Sequence, residues 1–546
     1  MKTRLVREHD PVRRRLLLGI GATLLPWTAR VSANPVRSAT VATTHGRVQG
    51  IEQGAVSTFR GIPYGADTAT TRFRRPKPAP AWTGVRETVD YAACCPQTER
   101  GVRGPRKLLS SWLIPQRQSE DCLYLNIWTP RTGDTVQRPV MVWLHGGGFA
   151  NGSGAASVYE GNRLVERGDV VLVTLNHRLN VFGYLCLAEM SGEFADSGNA
   201  GQHDIVLALQ WIRDNIAQFG GDPDNITLFG ESGGGAKIST LLAMEEASGL
   251  FHRAVIQSGP MLWAADMASA TETGRMGLEV LGASRTRLKR LDSASTQQLL
   301  AMLGEIKARG RFRTLAPVVD DRGLTRHPFV PDAPAVSRDI PVMVGHTATE
   351  STFLLGFDDS LFELDWAALP DRLAETISGV DTSAIVAQYR DAFPDYSASD
   401  VYFDVTTMYL IVRNAIRIAD LRNEQHAAPV FFYELGFRLG LDGGKWRSPH
   451  TLDIPLVFDN IDKSASMFAD PTNAQPLADR MSEAWLAFAR HGRPVARGLP
   501  DWPAWGQEQQ TMLFDTDSRV VMAPRRRKAG ILRDMPYWDL TKPNDL

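Results

Sequence analysis

The 546-residue sequence predicts an α/β fold: a mostly parallel central sheet with helices on both faces and a small antiparallel part near the N-terminal end. Three observations carry the prediction. Residues 139–144, 170–175 and 254–256 are short runs that stay apolar at successive positions, so both faces of each strand need cover, as in a parallel sheet. These runs alternate with helical spacing, clearest in Leu209, Ile212, Ile216 and Phe219. At Asn225-Ile226-Thr227-Leu228-Phe229-Gly230-Glu231-Ser232-Gly233-Gly234-Gly235 an apolar run meets a Gly-x-Ser-x-Gly turn, and a helix-compatible stretch follows at 236–244. Strand, sharp turn and helix together lift one serine hydroxyl onto the tip of a sheet.

Taken in order, residues 40–44, 48–51 and 57–60 read as short strands around a turn at His45-Gly46, an antiparallel start. Residues 72–85 are irregular, and 121–128 form another strand. The strand at 139–144 ends in His145-Gly146-Gly147-Gly148-Phe149. A helix over 205–219 stops at Gly220-Gly221-Asp222-Pro223, and the strand at 254–256 ends at Gln257-Ser258-Gly259. Residues 265–312 are more polar and helical. The strand at 342–344 runs into Gly345-His346-Thr347-Ala348-Thr349-Glu350. Broken helices over 360–425 should cover the carboxyl edge of the sheet. A strand at 430–433 leads through a Gly-rich loop to His450, a helix holds 484–490, and a strand at 512–514 closes the fold. No linker separates independent domains, so 34–546 is expected to be a single domain. The basic run Arg525-Arg526-Arg527-Lys528 is expected to be a solvated surface.

Hydrophobic residues at 43% and charged residues at 22% are ordinary globular values, with no internal repeat or low-complexity tract. A formal charge of -1 gives no reason to expect nucleic acid as a partner. Residues 1–33 read as an export signal of twin-arginine type. Arg13-Arg14-Arg15-Leu16-Leu17 precedes an apolar run over 16–25, too short to span a bilayer, and Val31-Ser32-Ala33 offers small residues for cleavage near Ala33. The expectation is a periplasmic or secreted protein, with no membrane span in the mature chain. Four cysteines, Cys94, Cys95, Cys122 and Cys186, make neither a disulfide scaffold nor a metal spacing. An exported protein has room for one bridge. Cys95 with Cys122 would close a short loop, worth about 3–4 kcal/mol in chain-entropy terms. Cys94 and Cys186 compete as partners, and the spacing excludes neither.

A serine hydroxyl needs a base to take its proton, and the base needs an acid to fix its tautomer. In sheets of this kind the chain order is nucleophile, acid, histidine. Glu350 follows a strand by a few residues, where the acid belongs. Asp320 and Asp321 are rivals in a stretch that reads as turn-supporting. The histidines after Glu350 are His426, His450 and His491. His426 reads as a helix end, and His491 precedes Gly492 at a helix C-terminus, where a capping cation explains it. His450 lies in a loop after a strand and is the candidate base. Glycines at 146–148 let backbone N–H groups face a developing oxyanion. Gly147, Gly148 and Gly233 are the candidate donors. No Walker loop, no dinucleotide fingerprint and no metal-spaced cluster is present, so no cofactor and no metal are expected.

From about residue 40 to about 520 the chain resembles the type-B carboxylesterase family, which includes the cholinesterases. The resemblance rests on Phe59-Arg60-Gly61-Ile62-Pro63-Tyr64, Cys95-Pro96-Gln97, Ser119-Glu120-Asp121-Cys122-Leu123-Tyr124-Leu125-Asn126, the stretch from His145 to Phe149, Phe219-Gly220-Gly221-Asp222-Pro223, the elbow, and Asp453-Ile454-Pro455. It implies an α/β-hydrolase fold, a Ser-Glu-His triad at Ser232, Glu350 and His450, and oxyanion donors at Gly147, Gly148 and Gly233. It also implies a disulfide between Cys95 and Cys122. Two departures stand out. Gly233 occupies a place where the family usually has alanine, and the family's second disulfide, near 260–275, has no cysteines here. Cys94 and Cys186 are then expected to be unpaired, Cys186 as a small buried hydrophobe.

The expected activity is hydrolysis of a small-molecule carboxylic ester through an acyl-enzyme. An amidase or peptidase on the same fold is the alternative, and a non-catalytic binding protein is disfavoured because all three triad members are present. Pocket walls are expected from Phe149, the segment after Ser258 and residues 310–410, with Met261, Leu262, Trp263, Phe353 and Leu354 as candidate apolar contacts.

Overall fold

Strands that are apolar at every position can be stable only when both faces are covered, and the central strands obey this in a computed structural model describing residues 36–98, 101–130, 132, 136–284, 287–468 and 470–542. The strands are β1 Arg37–Thr43, β2 Gly46–Gln53, β3 Val56–Pro63, β4 Val85–Glu87, β5 Tyr124–Pro130, β6 Arg138–Leu144, β7 Val171–Leu175, β8 Gly221–Glu231, β9 Arg253–Gln257, β10 Val342–Thr347, β11 Val430–Leu435, β12 Gln510–Phe514 and β13 Arg519–Met522. They form one sheet in the order β1-β2-β3-β5-β7-β6-β8-β9-β10-β11-β12-β13, with β4 beside β2. From β7 to β12 every pairing is parallel. The pairs β1–β2, β2–β3, β3–β5 and β5–β7 are antiparallel, the small N-terminal part that the sequence predicts.

In β6, Val140, Val142 and Leu144 enter one apolar core while Met141 and Trp143 enter the other. β8 divides likewise, with Ile226 and Leu228 on one side and Phe229 on the opposite side. A third cluster, around Tyr402, Phe403 and Tyr409, holds the broken helices of the 360–425 region together. The helix predicted over 205–219 runs Ala200–Asn215, continues as a 3-10 turn Ile216–Phe219 and ends at Gly220 with φ 80°. β4 and β13 escaped sequence reading because they are only three and four residues long and lack the burial on both faces that marks the central strands.

Three expectations need correction or fall elsewhere. The basic run is only half solvated. Arg525 and Lys528 lie three positions apart, on one face at the start of the helix Arg526–Ile531, and are buried. Arg525 pairs with Glu434 through Nε and Nη2 (2.8 and 2.7 Å) and with Asp404 through Nη1 at 2.9 Å, while Lys528 donates to Asp404 at 2.6 Å. Only Arg526 and Arg527 face solvent. The Cys95–Cys122 bridge is not formed. Both are buried free thiols side by side, with Cys122 hydrogen-bonded to Cys95 and Cys95 Sγ accepting the Leu179 N–H at 3.2 Å. Cys186 is buried against Ala265, Ala270 and Val318, as a small hydrophobe would be. The signal segment 1–33 lies outside the described residues. Among the described residues no helix is long and apolar enough to cross a membrane.

Candidate active site

β8 ends at Glu231, Ser232 makes the turn and a helix begins at Gly233 (Gly233–Leu241). Ser232 sits at φ 54° and ψ -122°, a conformation L-residues avoid, and is held there by its own N–H donating to Gln257 O at 2.8 Å. The turn is tight enough to require glycine. A Cβ on Gly234 would lie 1.9 Å from Leu144 O, and one on Gly230 2.7 Å from the same oxygen.

Two parallel strands further along the sheet, β10 delivers Glu350 and the loop after β11 delivers His450. His450 Nδ1 lies 2.5 Å from Glu350 Oε2, and Glu350 Oε1 accepts the Thr347 N–H at 2.7 Å. Both side chains are buried. Burial alone would raise the Glu350 carboxyl, but the charge and hydrogen bond of His450 outweigh it and hold the pKa below the ordinary value. His450 moves up. Burial opposes its charge, yet the carboxylates of Glu231 and Glu350 prevail. On the far side of the ring, His450 Nε2 faces Glu231 Oε1 at 3.1 Å. Glu231 is buried, and burial raises its carboxyl. A further buried acid, Asp453, accepts from Gln257 Nε2 at 2.9 Å and Tyr433 OH at 2.7 Å.

The glycine turn after β6 comes down on the elbow. Gly147 has φ 90° and Gly148 φ 64°. The two peptides that carry the Gly147 and Gly148 N–H groups have their carbonyls engaged: Gly146 O accepts His145 Nδ1–H at 2.8 Å, and Gly147 O accepts the N–H groups of Ala150 and Asn151 at 3.3 Å. Such chains polarise the N–H groups at their other end. Gly148 packs directly on Gly233, whose added Cβ would lie 2.4 Å from Gly148 N. The three predicted donors therefore share one side of Ser232.

Ser232, His450, Glu231 and Gly146 to Gly148 open into a cavity of about 1360 Å³. Its apolar walls include Phe149, Phe353 and Leu354, as expected, together with Phe312, Leu315 and Leu410. Met261 and Leu262 are core residues, Trp263 is half-buried against the core beside Tyr537, and none of the three lines it. Arg106, Leu109, Trp112 and Ile114 and the pair Trp538 and Leu540 supply walls that no motif announced.

The rejected candidates lie apart from this group. Asp320 Oδ1 caps a turn, accepting the N–H groups of Arg322, Gly323 and Leu324 at 3.1, 2.9 and 3.0 Å. His426 and His491 are exposed at helix ends. Sequence reasoning missed Glu231 and Lys237. Glu231 stands next to the nucleophile in sequence, but its approach to His450 exists only in three dimensions. Lys237 was readable as a helix residue five places after the serine, and nothing in its spacing announces that it is buried. Among the described residues no group of three or more His, Cys, Asp or Glu is placed to hold a metal ion.

The sequence pattern of the carboxylesterase family matches residues 37–530. The para-nitrobenzyl esterase of Bacillus subtilis is 33% identical over 497 residues, 89% of this chain and 97% of that protein. The fumonisin B1 esterase of Sphingopyxis macrogoltabida is 32% identical over 530 residues, 92% of each chain. Among solved structures, a Geobacillus stearothermophilus carboxylesterase superposes with a TM-score of 0.79 at 34% identity, covering 90% of this chain and 99% of its own.

Proposed function

The chain belongs to the carboxylesterase family and is a serine carboxylesterase of the α/β-hydrolase fold; from that membership we propose that Ser232, Glu350 and His450 are its catalytic triad and Gly147, Gly148 and Gly233 its oxyanion donors. One observation carries the assignment: a buried His450–Glu350 hydrogen bond of 2.5 Å beside a serine held at φ 54° on the tip of a strand.

The reaction follows from that geometry. Ser232 Oγ attacks the ester carbonyl while His450 Nε2 exchanges its contact with Glu231 for the serine proton. Negative charge passes to the former carbonyl oxygen, where the three N–H groups receive it. His450 returns the proton to the leaving alkoxide oxygen, so the alcohol departs and an acyl-Ser232 ester remains. Water, deprotonated by His450, then attacks that ester. Collapse of the second tetrahedral intermediate expels Ser232 Oγ, which regains its proton from His450, and the acid is released. Ser232→Ala is expected to lower kcat by at least about 10³-fold while the protein stays folded. Ester hydrolysis near the wild-type rate in that variant would sink the assignment.

The cavity of about 1360 Å³ with Trp112, Phe312, Phe353 and Leu410 on its walls supports esters with bulky apolar acyl or alcohol groups as substrates. Rates across ester chain length and alcohol size test this, and matched p-nitroanilides distinguish an esterase from an amidase. Export through a twin-arginine signal ending near Ala33 belongs to the same reading. So does oxidation of Cys95 and Cys122 by a thiol oxidant of the receiving compartment, which takes up the two electrons and two protons. Peptide mapping of the exported protein without reductant should find Cys95 linked to Cys122 and a mature chain starting near Asn34. An intact Met1 outside the cytoplasm contradicts the export reading, and an unlinked pair contradicts the bridge.

A further inference from the structure

Lys237 is among the least expected residues in the core. It lies on the helix that follows the nucleophile and is 0% exposed. A buried ammonium is unfavourable unless its protons are satisfied. Lys237 forms no ion pair among the described residues. Its Nζ donates instead to two backbone oxygens, His145 O at 3.0 Å and Gly148 O at 2.8 Å, and lies 5.6 Å from the centre of the Phe149 ring. Those two carbonyls bracket the glycine turn whose N–H groups face Ser232. Burial lowers the Lys237 pKa to about 7, against the opposing charge of Glu231.

Gly233 is the second half of the observation. A Cβ there would fall 2.3 Å from Gly148 O, 2.4 Å from its N and 2.5 Å from its Cα, all backbone atoms with little freedom to yield. The glycine turn thus rests on bare Cα at Gly233 and is tied from beneath by Lys237. An alanine at 233 would require Gly148 and the turn it ends to shift from this seating.

We propose that Lys237 is a positioning residue of the oxyanion hole, tying both ends of the 145–148 turn to the nucleophile helix, and that the missing Cβ of Gly233 lets the turn seat there. The proposal rests on the triad reading above and deepens it. The ammonium acts in two ways. It fixes the direction of the Gly147 and Gly148 N–H groups through the carbonyls on either side of them, and it places positive charge beneath a site where negative charge develops. Neither effect requires contact with substrate, so ground-state binding should be nearly untouched.

The test compares Lys237→Met and Gly233→Ala with wild type and with Ser232→Ala. The readouts are kcat and KM on p-nitrophenyl butyrate, the affinity for an alkyl trifluoromethyl ketone that forms a tetrahedral adduct with the serine, and the melting temperature. Both variants should lose about 10- to 100-fold in kcat, within the range for an oxyanion-hole defect. Their KM should stay within about threefold, and ketone affinity should fall by a factor parallel to kcat. A purely structural lysine would instead lower the melting temperature and leave kcat and ketone affinity of the folded fraction unchanged, which would overturn the proposal. If Lys237→Met does not fold, Gly233→Ala decides alone: ketone affinity within twofold of wild type overturns it. If Ser232→Ala remains active, the triad reading has failed. If Ser232→Ala is inactive while Lys237→Met and Gly233→Ala match wild type, only this proposal has.

Discussion

Two carboxylates flank His450, one at each ring nitrogen. Glu350 at Nδ1 fixes the ring, whereas Glu231 at Nε2 occupies the position from which the serine proton must be taken. Both favour the imidazolium, Glu231 through its charge and Glu350 through its charge and its hydrogen bond, and together they overcome burial and raise its pKa. Only neutral His450 can act as base, so kcat/KM should climb with pH to the alkaline side of an ordinary histidine near 6.5. Glu231→Gln removes the carboxylate at Nε2 and should move this acidic limb toward lower pH by about one unit. A pH–rate profile checks it, and an unmoved limb would mean that Glu231 carries no charge in the working enzyme. The linkage sign is definite. A histidine raised in the folded state adds stability that is complete below its unfolded pKa and is lost as pH rises through the folded value. At this scale the meeting of Glu350 with His450 near the Ser232 elbow was legible, because chain order and flanking strands point to it. Glu231 and Lys237 were not, because their roles depend on which carbonyl or ring lies across a gap.

Among elements, the strand-to-helix turn is the most constrained. Gly234→Ala would place a methyl 1.9 Å from Leu144 O in the neighbouring strand. The expected result is a loss of about 3 kcal/mol, read as a fall in melting temperature. Gly304 is the contrast: it lies inside the helix Thr296–Ala308 with open space around its missing Cβ, so Gly304→Ala should stabilise by up to about 1 kcal/mol. The central strands could be read from sequence because burial on both faces forces continuous apolar runs. β4 and β13 could not, since nothing in an exposed edge strand compels its side chains to differ from those of a loop.

Across the whole molecule, Arg525 joins segments far apart in sequence: Asp404 on the helix Ala398–Thr407 and Glu434 on β11. Removing one member of a buried network strands the others without a partner, so Arg525→Met should cost about 3–5 kcal/mol. A chain of this size is best assayed by its half-life of thermal inactivation. Arg526→Ala, on the exposed side, should stay within about 0.5 kcal/mol of wild type. Composition could not separate these neighbours; the helix beginning at Arg526 did, by turning every third side chain the same way.

The cavity above Ser232 is walled by segments as far apart as Cys94, Phe312, Leu410 and Leu540. Such a space exists only when the chain has folded as a unit, so an occupant binds the native state and not the unfolded one. At 100 times its dissociation constant a ligand adds about 2.7 kcal/mol to the stability of such a protein. Thermal shift with non-hydrolysable ester isosteres can therefore rank acyl and alcohol groups by fit, without a single turnover.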